Sequence, residues 1–187
     1  MLLRRINITP RIWGIVLFSI LGLVALAGFS LEHLRSTQLQ DKQLKTQHLV
    51  ETAHQLVAHF YQQGRQGLLS DDQAQAAAIS AIEALRYGDG KEYFWIQDKH
   101  PRMVMHPIKP ALNGKELGAI KDKAGKLLFK DMVRVVNNEG EGAVSYLWPK
   151  PGFDEPVAKV SYVKGFAPWN WIIGSGIYID DVDEAFW

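Results

Sequence analysis

The chain contains no cysteine. Disulfides, thiolate zinc sites, iron–sulfur clusters and covalent haem attachment through CxxCH are thereby excluded. It also lacks an excess of charge of either sign. A balance of 21 basic against 20 acidic side chains leaves a formal net charge of +1, and no basic tract interleaves with aromatics, so nucleic acid is not an expected partner. Catalytic signatures are missing as well: there is no HExxH, Walker A or dinucleotide fingerprint. Gly174-Ser175-Gly176 is not a GxSxG elbow, and glycine there suits a tightly packed strand. Neither internal repeats nor low-complexity segments occur. With 187 residues the chain has room for one domain with a real core, plus an anchor.

What is present begins with an apolar run from Ile12 to Leu31, preceded by Arg4, Arg5 and Arg11 and followed by Glu32. About 20 apolar residues match a bilayer core about 30 Å thick. Basic residues before the run place residues 1–11 in the cytoplasm, residues 12–31 across the membrane, and the remainder outside. The competing reading is a cleaved signal peptide, with Ala25-Leu26-Ala27 as a small-x-small cleavage site. Phe29 and Leu31 carry the run past that site and favour the anchor. Either way the domain from residue 34 to 187 is exported.

From Leu34 to Gly64 the apolar positions turn helical, with Leu49, Ala53, Leu56, Val57 and Phe60 on one stripe. His48, His54 and His59 lie on this helix at spacings of six and five, which put no pair on one face, so a metal is not expected. Ser70 with Gln73 forms a capping box for a second helix, running through Ala76, Ile79, Ile82 and Leu85 to Arg86 and Tyr87. Alternation then marks strands at Glu92–Gln97, Met103–His106 and Ala143–Trp148, with a helix expected over Lys126–Asn138. A final hairpin spans Pro156 to Tyr178, turning at Ala167-Pro168-Trp169-Asn170. This order predicts an α+β fold: a five-stranded antiparallel sheet with a long N-terminal helix, a second helix packed on it, and the helices on one side. The acidic run after Tyr178 resembles the start of another helix, reaching Trp187.

Within the hairpin, Val157, Lys159, Ser161 and Val163 point one way, and Ala158, Val160 and Tyr162 the other. A lysine on an apolar strand calls for an anionic partner, either a protein carboxylate or a bound small anion. The candidate donors are the hydroxyls of Tyr93, Tyr146 and Tyr162, the indoles of Trp95 and Trp148, the His106 imidazole, and the charges of Arg86 and Lys159. Aromatic walls with a few donors suit a small carboxylate, met by charge-assisted hydrogen bonds. Core packing is the plain alternative for the aromatics. For Arg86 it is a cation placed favourably at a helix C-terminus.

The segments YFWIQDKHPRMVMHP, GAVSYLWPKPG and KVSYVKGFAPWNWIIGSGIYIDD, in that order, resemble the single-Cache (PAS-like) sensor domains of bacterial chemoreceptors and sensor kinases, in the second subtype common in methyl-accepting chemotaxis proteins. The resemblance covers about residues 34–187. It implies an extracytoplasmic sensor of short monocarboxylates such as acetate, propionate, pyruvate or lactate, with no cofactor and no catalysis. Matched residue by residue, it implies ligand contacts from Tyr93 and Trp95 of YFW, His106 of HP, Tyr146 before WPKPG, and Lys159 and Tyr162 of KxSY. Arg86 matches a basic position before the first of these strands. Family receptors continue into a second membrane helix, a HAMP linker and a signalling domain. None follows Trp187 here, so a receptor fragment or an anchored sensor with a separate signalling partner is expected.

Two further function classes stay open at this stage: a periplasmic enzyme acting on a small acid, and an assembly module whose pocket is merely core. The helix from Leu34 also carries a second apolar line at Leu34, Leu39 and Leu44, near the membrane. Such a stripe predicts a homodimer through this helix, as the resemblance also implies. The alternative is that these leucines cover the chain's own C-terminal segment.

Overall fold

The computed structural model describes residues 8–88 and 90–179. Helix α1 (Ile8–Arg65) is continuous, so the apolar run and the following amphipathic stretch form one element. Every described residue from 12 to 34 is exposed, whereas Val50, Ala53 and Val57 are fully buried. Helix α2 (Asp71–Ala84) starts at the expected capping box, with the Ser70 side chain taking the Gln73 N–H and the Gln73 side chain taking the Ser70 N–H. It ends earlier than expected. Leu85 turns to extended backbone and Arg86–Tyr87 form a short strand, β1.

The five expected strands follow as β2 (Glu92–Asp98), β3 (Met103–Met105), β4 (Glu141–Pro149), β5 (Pro156–Phe166) and β6 (Trp171–Tyr178). Helix α3 (Leu128–Glu139) precedes β4. All pairings are antiparallel, in the order β1-β2-β6-β5-β4, with β3 also on β2. The β5–β6 hairpin closes through a short 3-10 turn (Ala167–Trp169) and Asn170, whose left-handed backbone (φ 56°) suits asparagine. Its register places Lys159 opposite Tyr178 and Ser161 opposite Gly176.

The helices do not share one side of the sheet, contrary to the sequence reading. Helices α1 and α2 pack on the face carrying Phe94, Ile96, Phe166 and Ile173. Helix α3 covers the other face, where Leu128, Phe129, Met132 and Val136 meet Tyr93, Trp95, Tyr146 and Val163. Both faces of the strands are therefore apolar, and alternation alone does not say which helix takes which face. The acidic run after Tyr178, read as a helix start, lies outside the described residues, as does Trp187.

On the α3 face the middle of β6 is bare. A Cβ at Gly174 would meet the Trp95 indole at 2.4 Å, so only glycine lets that ring lie flat across the sheet. Gly174→Ala is expected to destabilise the protein by about 1–3 kcal/mol through overpacking. Denaturant unfolding followed by tryptophan fluorescence measures this, and an unchanged midpoint would mean that Trp95 has room to move aside.

Candidate functional site

On the α3 face, β2 contributes Tyr93 and Trp95, β4 contributes Tyr146 and Trp148, and His106 follows β3. With Leu128 and Phe129 of α3 these side chains line one small cavity of about 10 Å³, roughly the space of a single ordered water. Ring contacts knit the wall together: His106 lies 5.0 Å from Tyr93 and 6.2 Å from Trp148, and Phe129 meets Trp148 edge-on at 5.9 Å. The Tyr146 hydroxyl shares a 2.8 Å hydrogen bond with Ser161 Oγ. The buried Trp95 indole N–H has no partner among the described residues, which leaves a spare donor in a largely aromatic wall.

Lys159 lies beside this cavity and is 1 % exposed. Its Nζ donates to the Tyr93 hydroxyl at 3.1 Å and the Tyr178 hydroxyl at 3.3 Å. It also stands 4.2 Å and 4.4 Å from the centres of those two rings, within cation–π range. The Tyr178 hydroxyl in turn donates to the Pro149 carbonyl at 2.8 Å, fixing its orientation. Burial pulls the Lys159 pKa down to about 7, with the Glu92 carboxylate opposing the shift. The cation is thus held by π faces and hydroxyl oxygens, with a carboxylate acting through its field.

His106 is oriented by the backbone that follows it. Its Nδ1 accepts the N–H groups of Ile108 at 3.3 Å and Lys109 at 3.0 Å, and its own N–H donates to Asn113 Oδ1. With Nδ1 occupied as an acceptor, a neutral ring carries its proton on Nε2. Burial, then the charges of Lys159 and Lys109, lowers its pKa to about 3. His106 is therefore a neutral donor, not a cation. Tyr93 is pushed up to about 12 by burial, so its hydroxyl remains protonated.

Five of the seven residues singled out from sequence converge here: Tyr93, Trp95, His106, Tyr146 and Lys159. The structure places the other two elsewhere. Tyr162 points to the opposite face, packs in the cluster beneath α1 and lines a crevice with Gln43 and Thr46. Strand parity separates it from Lys159, and this parity outweighs the motif match. Arg86 is exposed at the sheet edge, where its guanidinium donates to the Glu83 carbonyl at 2.6 Å and the Leu85 carbonyl at 2.7 Å. It caps the end of α2, as the plain helix-end reading held.

Sequence reasoning missed Tyr178 as a site residue. Its signal was the hairpin register, since a turn joining Phe166 to Trp171 sets Tyr178 across from Lys159. Gln97 was missed too. It is fully buried and donates to the Phe129 carbonyl at 3.3 Å, tying the first turn of α3 to the sheet. Nothing in an alternating strand distinguishes such a glutamine beforehand. His54 and His59 are engaged singly, with the Gly165 carbonyl and Gln63 respectively. Among the described residues no group of three or more such side chains is arranged to hold a metal.

Comparison with known proteins gives a consistent picture. The chain is 43% identical over 184 residues to the methyl-accepting chemotaxis protein McpP of Pseudomonas putida, covering 98% of this chain and 34% of that protein. It thus spans about a third of that relative's length. A solved periplasmic sensor domain of a chemotaxis protein superposes with a TM-score of 0.74 at 51% identity, covering 76% of this chain and 98% of that one. A Cache chemosensory domain solved to explain its carboxylic acid recognition also gives 0.74, at 43% identity, covering 78% of this chain and 98% of that one. These relatives are membrane chemoreceptors and periplasmic sensor domains, and among the described residues α1 is the one helix long and apolar enough to cross a membrane. With residues 38–187 matching the family model throughout, this chain belongs to the single Cache domain 2 family of chemosensory domains.

Proposed function

We propose that the domain is an extracytoplasmic sensor of a short monocarboxylate, of the acetate, propionate, pyruvate or lactate class. The observation that carries this reading is Lys159, a buried ammonium beside a donor-lined aromatic cavity. A carboxylate reaching Nζ would complete its solvation with a charge-assisted hydrogen bond. Tyr93, the Trp95 N–H and His106 Nε2–H supply neutral donors, and the rings hold a tail of one or two carbons. At about 10 Å³ the cavity admits such an acid only if Leu128 and Phe129 of α3 move outward, which favours the smallest acids. The domain binds its ligand without turning it over. It passes the occupied state along α1 as part of a chemotaxis receptor or related signalling protein in the cell membrane.

Titration of the detergent-solubilised full chain with two- to four-carbon acids tests the reading. Lys159→Met should keep the fold and weaken binding by on the order of 2–5 kcal/mol, whereas Arg86→Ala and Tyr162→Phe should leave the affinity within about twofold, or 0.4 kcal/mol. Unchanged affinity in folded Lys159→Met protein would discard this site. Conversion of the acid, followed by proton NMR over hours, would favour an enzyme instead.

The pH dependence follows from the lysine. Carboxylate binds its charged form, and the ligand-free pKa is about 7, so affinity should fall up to about tenfold per pH unit above that value. Binding at pH 8 should take up close to one proton, seen as different apparent heats in buffers of different ionisation enthalpy. The ligand-free fold shows the complementary trend. Between about 7 and the ordinary lysine range the unfolded chain holds a proton that the folded one has released, so stability rises with pH there. Absence of proton uptake would contradict a lysine that charges on binding. His106, neutral down to about 3, adds nothing to the affinity between pH 5 and 8. The unfolded chain's imidazole takes up a proton below its ordinary value, so stability also rises with pH from about 3 to the ordinary histidine range.

The reading also includes a homodimer along the membrane-proximal part of α1. Leu34 and Leu44 are 49 % and 51 % exposed, and Leu39 is only partly covered. Five residues apart, these leucines are spread around the projecting helix and do not line one face. Exposed apolar side chains there match a partner helix, while anchoring raises its effective concentration. Single cysteines along residues 36–46 in native membranes should crosslink with helical periodicity, and absence of crosslinking at every position would remove this helix as the interface.

A further inference from the structure

Outside α1, the described residues expose two large hydrophobic side chains: Leu68, 69 % exposed just beyond the far end of α1, and Phe153, 70 % exposed at the tip of the β4–β5 hairpin. Their positions along α1 differ greatly. Strand β5 runs beside α1 in the same sense, with two fixed points between them. Gln43 and Thr46 share a crevice with Val160 and Ser161, and His54 reaches the Gly165 carbonyl at 3.2 Å. Between these points the helix rises about 14 Å and the strand about 13 Å, so the two advance together.

Carried towards the membrane, the same correspondence sets Pro156, the first residue of β5, level with about residue 34 of α1. The turn from Lys150 to Phe153, closed by the Phe153 N–H on the Lys150 carbonyl at 3.0 Å, extends beyond that point. The apolar run of α1 ends at Leu31. A polar headgroup layer extends roughly 5–8 Å past each side of the hydrocarbon core, so the tip reaches the same depth as this layer.

We propose that the tip of the β4–β5 hairpin, led by Phe153, seats in the headgroup layer of the bilayer that α1 crosses, giving the domain a second membrane contact. Pro151 and Gly152 precede the aromatic ring, and the φ of 82° at Gly152 keeps the turn tight. Charge around the tip is mixed. Lys123 pairs with Glu155 at 2.8 Å, Lys150 lies over the Tyr178 ring at 5.8 Å, and Asp154 is exposed. Apolar insertion therefore carries the contact, and a zwitterionic surface suffices. The inference rests on α1 being a membrane anchor, and the test separates the two.

The full chain, which has no cysteine of its own, is placed in phosphatidylcholine nanodiscs at one copy per disc. Phe153→Cys, Leu68→Cys and Val24→Cys each carry an environment-sensitive fluorophore. The label at 153 should be quenched by nitroxide lipids labelled near the headgroup and shielded from aqueous iodide. The label at 68 should show the reverse, and the label at 24 should be quenched by nitroxides deep in the chains. Iodide quenching at 153 equal to that at 68, with 24 still in lipid, overturns the proposal and spares the anchor. Iodide quenching at 24 overturns both. Shielding at 153 without nitroxide quenching would mean that protein covers the tip, and also overturns it. Because a label can itself insert, Asp154→Cys is measured with Phe153 intact and with Phe153→Ser. Headgroup quenching should be present in the first and lost in the second, and equal quenching in both would overturn the role of Phe153.

Discussion

An ammonium group taken out of water must be solvated by the protein or lose its proton, and Lys159 shows both responses. Two tyrosine hydroxyls and two ring faces surround its Nζ, the Glu92 carboxylate contributes a favourable field, and the pKa still falls to about 7. The surroundings tolerate the charge without matching it. A well-made ion pair would hold the lysine charged at all physiological pH and leave little gain for an incoming anion. The partial match leaves the lysine able to gain from an external carboxylate.

The geometry that maintains this state comes from backbone arrangement more than from side-chain volume. Register in the β5–β6 hairpin puts Tyr178 across from Lys159, and the Tyr178 hydroxyl is anchored on Pro149, at the end of the neighbouring strand β4. Two steps along β6 from Tyr178, Gly176 makes room for Ser161, where a Cβ would stand 2.0 Å from its Oγ. That hydroxyl then positions Tyr146. Bare positions on β6 thus allow the polar groups of β5 and the indole of Trp95 to lie close to the sheet, leaving the space above them to the cavity and α3.

How much of this was legible in the sequence depended on whether the signal was local. Period-two alternation located all five expected strands, and the Ser70–Gln73 box located the start of α2, because each is written in adjacent residues. Tyr162 was legible as well: its parity put it on the face opposite Lys159, although its hydroxyl and the motif match both counted it among the donors. Arg86 was ambiguous in principle, since a helix-end cation and a ligand cation look alike until the carbonyls of Glu83 and Leu85 are seen to take its protons. The side taken by α3 was not legible. Strands apolar on both faces accept a helix on either, and the choice is made by long-range packing of Phe129 and Met132 against Tyr93, Trp95 and their neighbours.

That two-sidedness bears on how an occupied pocket would be sensed. Alternate residues of one strand serve different partners: Lys159 and Ser161 face the cavity side, while Tyr162 faces α1. Further along β5, the Gly165 N–H bonds the Gly140 carbonyl at the end of α3, and the Gly165 carbonyl bonds His54 of α1. A Cβ at Gly165 would lie 2.6 Å from Val136 of α3, so helix and strand are in close contact there. Packed contacts of this kind move together or repack in discrete steps, because the interior is too dense to deform smoothly. An outward step of α3 to admit a ligand at Leu128 and Phe129 would therefore be felt at its other end by Gly165, the residue whose carbonyl also holds α1. The strand that carries the charged lysine is the same one that lies along the helix leading to the membrane.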